Sequence, residues 1–252
     1  NLDIDIKKFN FDIHYLNMNI LDRYISYLRN YNRFFRKFKK IFLLKNKFEK
    51  LINEKKIDLI YFTGPSQYSL YLENSKFIIT VPDVSHRENL EFPEMINDSE
   101  FERREETLKT VLPKAVIIIT NANIIKERIS FFYKVLKDRI LVINHQPSLA
   151  ISNYQNKSGG KLKKLEKYNL PSKYLFYPAM YFPHKNHKTL IDALAKLKDK
   201  KIENISLVCC GNDNGYLKNL KKYVNKKNLS EKIKFLDYVD DEDLPSLYLN
   251  SS

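Results

Sequence analysis

The chain has 252 residues, a formal net charge of +14 and 43% hydrophobic residues. That apolar content suffices for one large or two modest cored domains and argues against a disordered chain. No run of about 18 apolar residues is present to span a bilayer, and no signal-peptide pattern is visible.

In chain order, the first periodic segment is 28–53, where Tyr31, Phe34, Phe35, Phe38, Ile41, Phe42, Phe48, Leu51 and Ile52 share one face of a helix. Arginines and lysines from Arg29 to Lys50 crowd its flanks, so 29–50 suits either an anionic membrane surface or a helix packed on a sheet with solvated lysines. Strands are expected at 59–62, 77–81, 115–120 and 140–144, with helices at 100–112 and 124–136 between them. A polar stretch, 152–164, carrying Gly159 and Gly160, has a linker's composition. Beyond it the pattern resumes, with strands at 174–177, 205–210 and 233–236 and helices at 187–198 and 215–227. Strands alternating with helices specify parallel α/β units, here two doubly wound, Rossmann-like domains at 1–155 and 156–252. Cys209 and Cys210, adjacent on one strand, point to opposite faces; no structural disulfide is implied, and a reducing compartment fits.

In parallel α/β sheets, ligands sit beyond the carboxyl ends of the strands. The loops there are 63–67, 82–87, 120–123, 179–187, 211–214 and 237–241. The most informative is the run from Phe176 to Leu194. A short strand leads into an irregular loop between Pro178 and Pro183, because Pro183 biases Phe182 away from helical dihedrals. A helix follows, with Leu190, Ile191, Ala193, Leu194 and Leu197 on its buried face and Asn186 as its expected side-chain N-cap. The positive pole of that helix faces the loop beside Lys185, which makes an anion site. A surface lysine beside an ordinary cap explains the same residues.

Three motifs, in order, resemble those of glycosyltransferase family 4. The run Tyr177-Pro178-Ala179-Met180-Tyr181-Phe182-Pro183-His184-Lys185-Asn186-His187 is similar to the segment that opens that family's second domain. Val81-Pro82-Asp83-Val84-Ser85-His86-Arg87, with Glu91-Phe92-Pro93-Glu94, resembles a first-domain segment. The third is Phe235-Leu236-Asp237-Tyr238-Val239 with Asp241 to Tyr248, and together the motifs cover roughly 55–252.

The resemblance implies a GT-B architecture, two Rossmann-like domains facing a cleft, both incomplete here. The family carries a glycine-rich first loop before the point where this sequence opens at Asn1, and a glutamate-containing donor segment after Ser252. The sequence therefore reads as a piece of a longer chain.

The implied function is a metal-independent, retaining, hexosyltransferase-type glycosyltransferase moving a sugar from a nucleotide-sugar donor to a glycan or lipid-linked acceptor. It would be cytoplasmic, with a peripheral place on the membrane's inner face also open to it, and would use no cofactor. Lys185, with His184 and Asn186 beside it, is expected at the donor diphosphate. Met180 stands where the family often has an arginine, so a second cation is absent from that position.

Gly211 would let the donor approach the backbone, or simply end a strand; Tyr238 and Val239 would lie near the base. His86 is the first-domain candidate for touching sugar or acceptor or for proton transfer; a histidine satisfied by Asp83 is the plainer reading. The acidic triplets at 3–5 and 241–243 could suggest a metal, but one lies at a terminus and the other is expected to open a helix, and no Cys/His ligand spacing occurs. The charge of +14 and the segment 29–50 also fit a basic nucleic-acid-binding protein, which explains none of the three motifs. A nucleotide-binding fragment without catalysis is the third reading.

Overall fold

The computed structural model describes residues 13–17, 20, 46–72, 75–147, 151–152, 165–202 and 204–252. All but Ser152 of the expected linker at 152–164 and most of the aromatic–basic segment, 28–45, lie outside the described residues, as does the triplet at 3–5. The chain forms two compact units: Asn1–Glu88 with Ser99–Asn144, and Asn89–Asp98 with His145–Ser252.

The first unit is a four-stranded parallel sheet of β1 (Leu59–Phe62), β2 (Lys76–Thr80), β3 (Ile117–Thr120) and β4 (Ile140–Val142), in sequential order. Around it run α1 (Lys47–Glu54), α2 (Ser85–Glu88), α4 (Glu100–Val111) and α5 (Asn123–Tyr133); α3 (Pro93–Ile96) belongs with the second unit. Sequential parallel strands take their crossovers on one side. Accordingly, Phe62, Phe77, Ile79, Ile118 and Ile140 form one core with Ile52, Leu108, Val111 and Ile129 from the helices. Leu59, Tyr61 and Leu141 are the exposed residues of the alternate positions.

Helix α1 opens at Lys47, within the 28–53 periodicity, the part of which before Asn46 lies outside the described residues. Asn46 is extended (φ −68°, ψ 166°), and its side chain accepts the Glu49 backbone N–H at 2.9 Å, so a helix starts here rather than passing through. Helix α5 also stops early, at Tyr133, because Lys134 takes a left-handed conformation.

The second unit is a parallel sheet of β5 (Tyr174–Pro178), β6 (Ser206–Cys210) and β7 (Ile233–Leu236) in that order. Helices α6 (His187–Asp199), α7 (Leu217–Lys226) and α8 (Leu244–Leu249) complete it. All five residues of β6 are buried, as a central parallel strand covered on both faces requires. Leu207 and Cys209 join one apolar cluster with Ile191, Leu194 and Leu220, whereas Val208 and Cys210 join another with Tyr174, Val239 and Leu247. The adjacent cysteines thus face opposite ways, and both are free. Among the described residues no helix is long and apolar enough to cross a membrane.

Candidate functional site

Strand β5 delivers the chain to a loop that is fastened at several points. Pro183–Lys185 form a single 3₁₀ turn, closed by Lys185 N–H to the Phe182 carbonyl (3.1 Å) and Asn186 N–H to the Pro183 carbonyl (3.0 Å). Phe182 itself is extended (φ −117°, ψ 151°), as the following proline demands. The Tyr177 hydroxyl, at the end of β5, donates to the Lys185 carbonyl at 2.7 Å.

The Lys185 side chain is half-buried, and among the described residues its ammonium has no ion-pair or hydrogen-bond partner. Many other lysines here are paired, for example Lys167 with Asp243 and Lys227 with Asp192.

Asn186 occupies the N-cap position of α6, but not in the expected manner. It is left-handed (φ 54°, ψ 39°) with no side-chain bond to a backbone amide, and its Oδ1 instead accepts the Thr189 hydroxyl at 2.8 Å. The side-chain capping read from sequence is therefore corrected: the Asn186 side chain binds no first-turn N–H of this 13-residue helix, and only its carbonyl accepts one, from Thr189 at 3.2 Å.

His187 follows, 1% exposed between the rings of Tyr177 (5.0 Å) and Tyr181 (5.3 Å). Burial holds its pKa below the usual histidine value, against the Ala179 backbone, which lies beside the ring outside regular hydrogen-bond geometry. His184 is turned to a different partner. Its backbone N–H (3.0 Å) and ring Nδ1 (2.5 Å) both meet Glu94 Oε1, and its ring stacks on Phe182 at 5.5 Å.

Gly211, at the end of β6, lies against this loop. A Cβ there would stand 2.6 Å from the Ala179 carbonyl oxygen and 2.8 Å from Met180 Cα. The absent side chain admits the neighbouring loop. One step on, the Tyr181 N–H donates to the Asn212 carbonyl (3.2 Å), and Asp213 Oδ1 accepts from Gly215 and Leu217 ahead of α7. The Tyr181 hydroxyl, fully buried, reaches the Leu236 carbonyl at 2.6 Å and so ties the loop to the end of β7. Beyond β7, Tyr238 is 63% exposed with its hydroxyl on Asp241, whereas the Val239 side chain is buried in the core. The 241–243 triplet is divided: Asp243 is buried against Lys167 and Tyr168 at the start of α8. Among the described residues no group of three or more acidic, histidine or cysteine side chains could hold a metal ion.

In the first unit His86 sits on the short helix α2 with no exposed surface, so its expected place in an open strand-end loop is corrected. Its Nε2 lies 3.1 Å from the Tyr133 hydroxyl and 3.4 Å from Glu105, while Nδ1 has no partner among the described residues. Asp83, the neighbour expected to satisfy it, instead pairs with Arg104 at 2.7 Å. Burial and the Arg104 charge hold the His86 pKa below its ordinary value against the pull of Glu105. Glu105 also takes Arg87 Nε at 2.7 Å and Lys109 at 3.1 Å.

The sequence reading missed Glu94, Glu105 and Tyr133. Glu94 stood within a quoted motif; Glu105 and Tyr133 carry no local signal.

Residues 161–252 match the family model for glycosyl transferases, group 1. Over its whole length the chain is similar to a glycosyltransferase from Rickettsia africae, with a TM-score of 0.63 and 19% identity, covering 60% of that protein. It is similar also to sucrose-phosphate synthase from Thermosynechococcus elongatus, with a TM-score of 0.59 and 17% identity over 88% of this chain and 54% of that one. The Anabaena protein HepE, solved in complex with UDP, has a TM-score of 0.54 and 16% identity over 81% of this chain and 54% of its own. These likenesses establish the fold as α/β of GT-B type, and the chain spans less than two thirds of each relative's length. No curated protein matches the chain.

Proposed function

We propose that the chain belongs to a glycosyltransferase that moves a sugar from a nucleotide-sugar donor to a glycan or lipid-linked acceptor, with retention and without a metal. The observation that carries this reading is Lys185: an ammonium with no partner among the described residues, on a turn pinned by Tyr177, at the mouth of a helix whose first turn its N-cap side chain leaves open. As the sugar departs, the bond from its anomeric carbon to the phosphate oxygen breaks and negative charge grows on the nucleoside diphosphate. A cation and a helix pole fixed beforehand stabilise that charge at no cost of reorganisation. The group 1 match over 161–252 and the presence of UDP in HepE support a nucleotide at this end of the chain.

In this reading His184 and Asn186 shape the turn, Gly211 admits the loop, and Tyr238 with the Val239 backbone lies toward the base. His86 is the first-unit residue, with Nδ1 as its unoccupied ring atom. We extend the reading to a cytoplasmic, peripheral location, with the basic segment 29–50 against anionic lipid.

The test is transfer of a labelled sugar from a nucleotide sugar by the full-length protein and by Lys185→Ala. Turnover lost in the variant supports the reading. Salt-sensitive binding of arbitrary oligonucleotides, indifferent to Lys185→Ala and without any transfer, would replace it with a polyanion-binding protein.

A further inference from the structure

The 3₁₀ turn that presents Lys185 begins with a backbone group that the turn itself cannot satisfy. Pro183 has no N–H, and Lys185 donates to Phe182, which leaves the His184 N–H without a partner inside the turn. That amide donates to Glu94 Oε1 at 3.0 Å, from a residue 90 positions earlier in the chain, and the same oxygen takes His184 Nδ1 at 2.5 Å. Glu94 lies on α3, within Asn89–Asp98, the segment that packs with the second unit. Phe92, two residues before it, sets its ring edge-on to His184 at 6.1 Å.

The carboxylate is largely buried, 14% exposed at the side chain, and its Oε2 has no hydrogen-bond partner among the described residues. A buried carboxylate with one bare oxygen is costly, and its charge is compensated mainly by the His184 backbone N–H and ring, with a contribution from its own backbone N–H. Burial pushes its pKa up, but the donors of His184 together with the backbone N–H of Glu94 itself outweigh that and hold it below the usual carboxylate range.

We propose that Glu94 is a positioning residue for Lys185. It caps the turn from outside, fixes the direction in which the next residue leaves the backbone, and so sets the Lys185 ammonium for a diphosphate before the ligand arrives. The proposal rests on the reading of Lys185 as an anion clamp and assigns Glu94 no contact with the ligand. It also gives the Glu91-Phe92-Pro93-Glu94 motif a physical role that its distance in sequence from Lys185 conceals.

A double-mutant cycle on the full-length protein tests this, with UDP and inorganic pyrophosphate as ligands and calorimetry as the readout. Glu94→Gln keeps the size of the side chain while removing its charge; Glu94→Ala removes both oxygens, and thermal unfolding confirms that each variant is folded. In the Lys185 background both substitutions are expected to weaken each ligand, by about tenfold for Glu94→Ala, which corresponds to about 1.4 kcal/mol of lost preorganisation. In the Lys185→Ala background the same substitutions should have no further effect, because Glu94 acts through the lysine.

An equal loss in both backgrounds, or no loss in either, overturns the positioning role while leaving the donor-site reading intact. A wild-type protein that binds neither ligand removes that reading and the inference with it.

Discussion

The Tyr177 hydroxyl and the Lys185 carbonyl meet at 2.7 Å, joining the penultimate residue of β5 to the residue eight positions later at the far end of the loop. Because the bond takes the carbonyl and not the ammonium, it fixes the lysine's backbone while leaving its charge available. Tyr177→Phe removes the bond and keeps the ring that packs on His187. The expected result is a loss of about 1 kcal/mol in denaturant unfolding and a few-fold weaker UDP binding, with the uridine ring's contacts unchanged.

Gly211 and Gly64 give a controlled pair. At Gly211 an added methyl meets the Ala179 backbone at 2.6 Å, whereas at Gly64 nothing lies within 4 Å. Gly211→Ala must push the 179–181 loop away from β6, and about 1–3 kcal/mol of destabilisation is expected from such overpacking. Gly64→Ala should leave the unfolding midpoint within about 0.5 kcal/mol of wild type.

The buried Glu105 network sets a pH dependence. Burial pushes the Glu105 carboxyl up, but Arg87, Lys109 and Tyr133 together pull it from 4.5 down to about 2. A carboxylate whose folded pKa is depressed releases its proton more readily folded than unfolded, so protonation favours unfolding. Its contribution is therefore fully present above about pH 4.5 and is lost as the pH falls toward 2. Glu105→Gln should be less stable than wild type at pH 7 by about 2 kcal/mol, since Arg87 loses its counter-ion, and its unfolding free energy should vary less across that acid window. Parallel curves for the two proteins would assign the acid sensitivity elsewhere.

Transfer activity is expected to survive exhaustive chelation. In the proposed reading Lys185 and the α6 pole supply the positive charge at the leaving diphosphate, so turnover measured in EDTA should match turnover measured with added magnesium or manganese. Restoration of activity only on adding a divalent ion would move the charge stabilisation away from Lys185.

The strand and helix sequence of both units was legible because hydrophobic runs and proline positions act locally. Pro183 sets Phe182 extended, and Cys209 and Cys210 alternate across a buried strand, whatever the rest of the chain does. The misread features all depend on groups that are distant or in competition. Asn46 interrupts an otherwise continuous helical period because its side chain binds the Glu49 amide. Asn186 had the identity of a cap, but the 3₁₀ turn before it forces a left-handed backbone and its side chain turns to Thr189.

His86 was legible as a functional candidate from its motif, but not its burial. That is set by Glu105, 19 residues away, and Tyr133, 47 residues away, neither of which periodicity can pair with it. Glu94 is the sharpest case: the motif containing it was visible, and its partner 90 residues away was not.

The most direct measurement of the central claim is calorimetric titration of UDP into the full-length protein and into Lys185→Ala, at matched salt. Saturable binding by the wild type, weakened by about 30-fold or more in the variant, is the expected result, because one charge-assisted hydrogen bond to phosphate contributes about 2 kcal/mol. Equal affinities in the two proteins would contradict the assignment of Lys185 as the donor-diphosphate clamp.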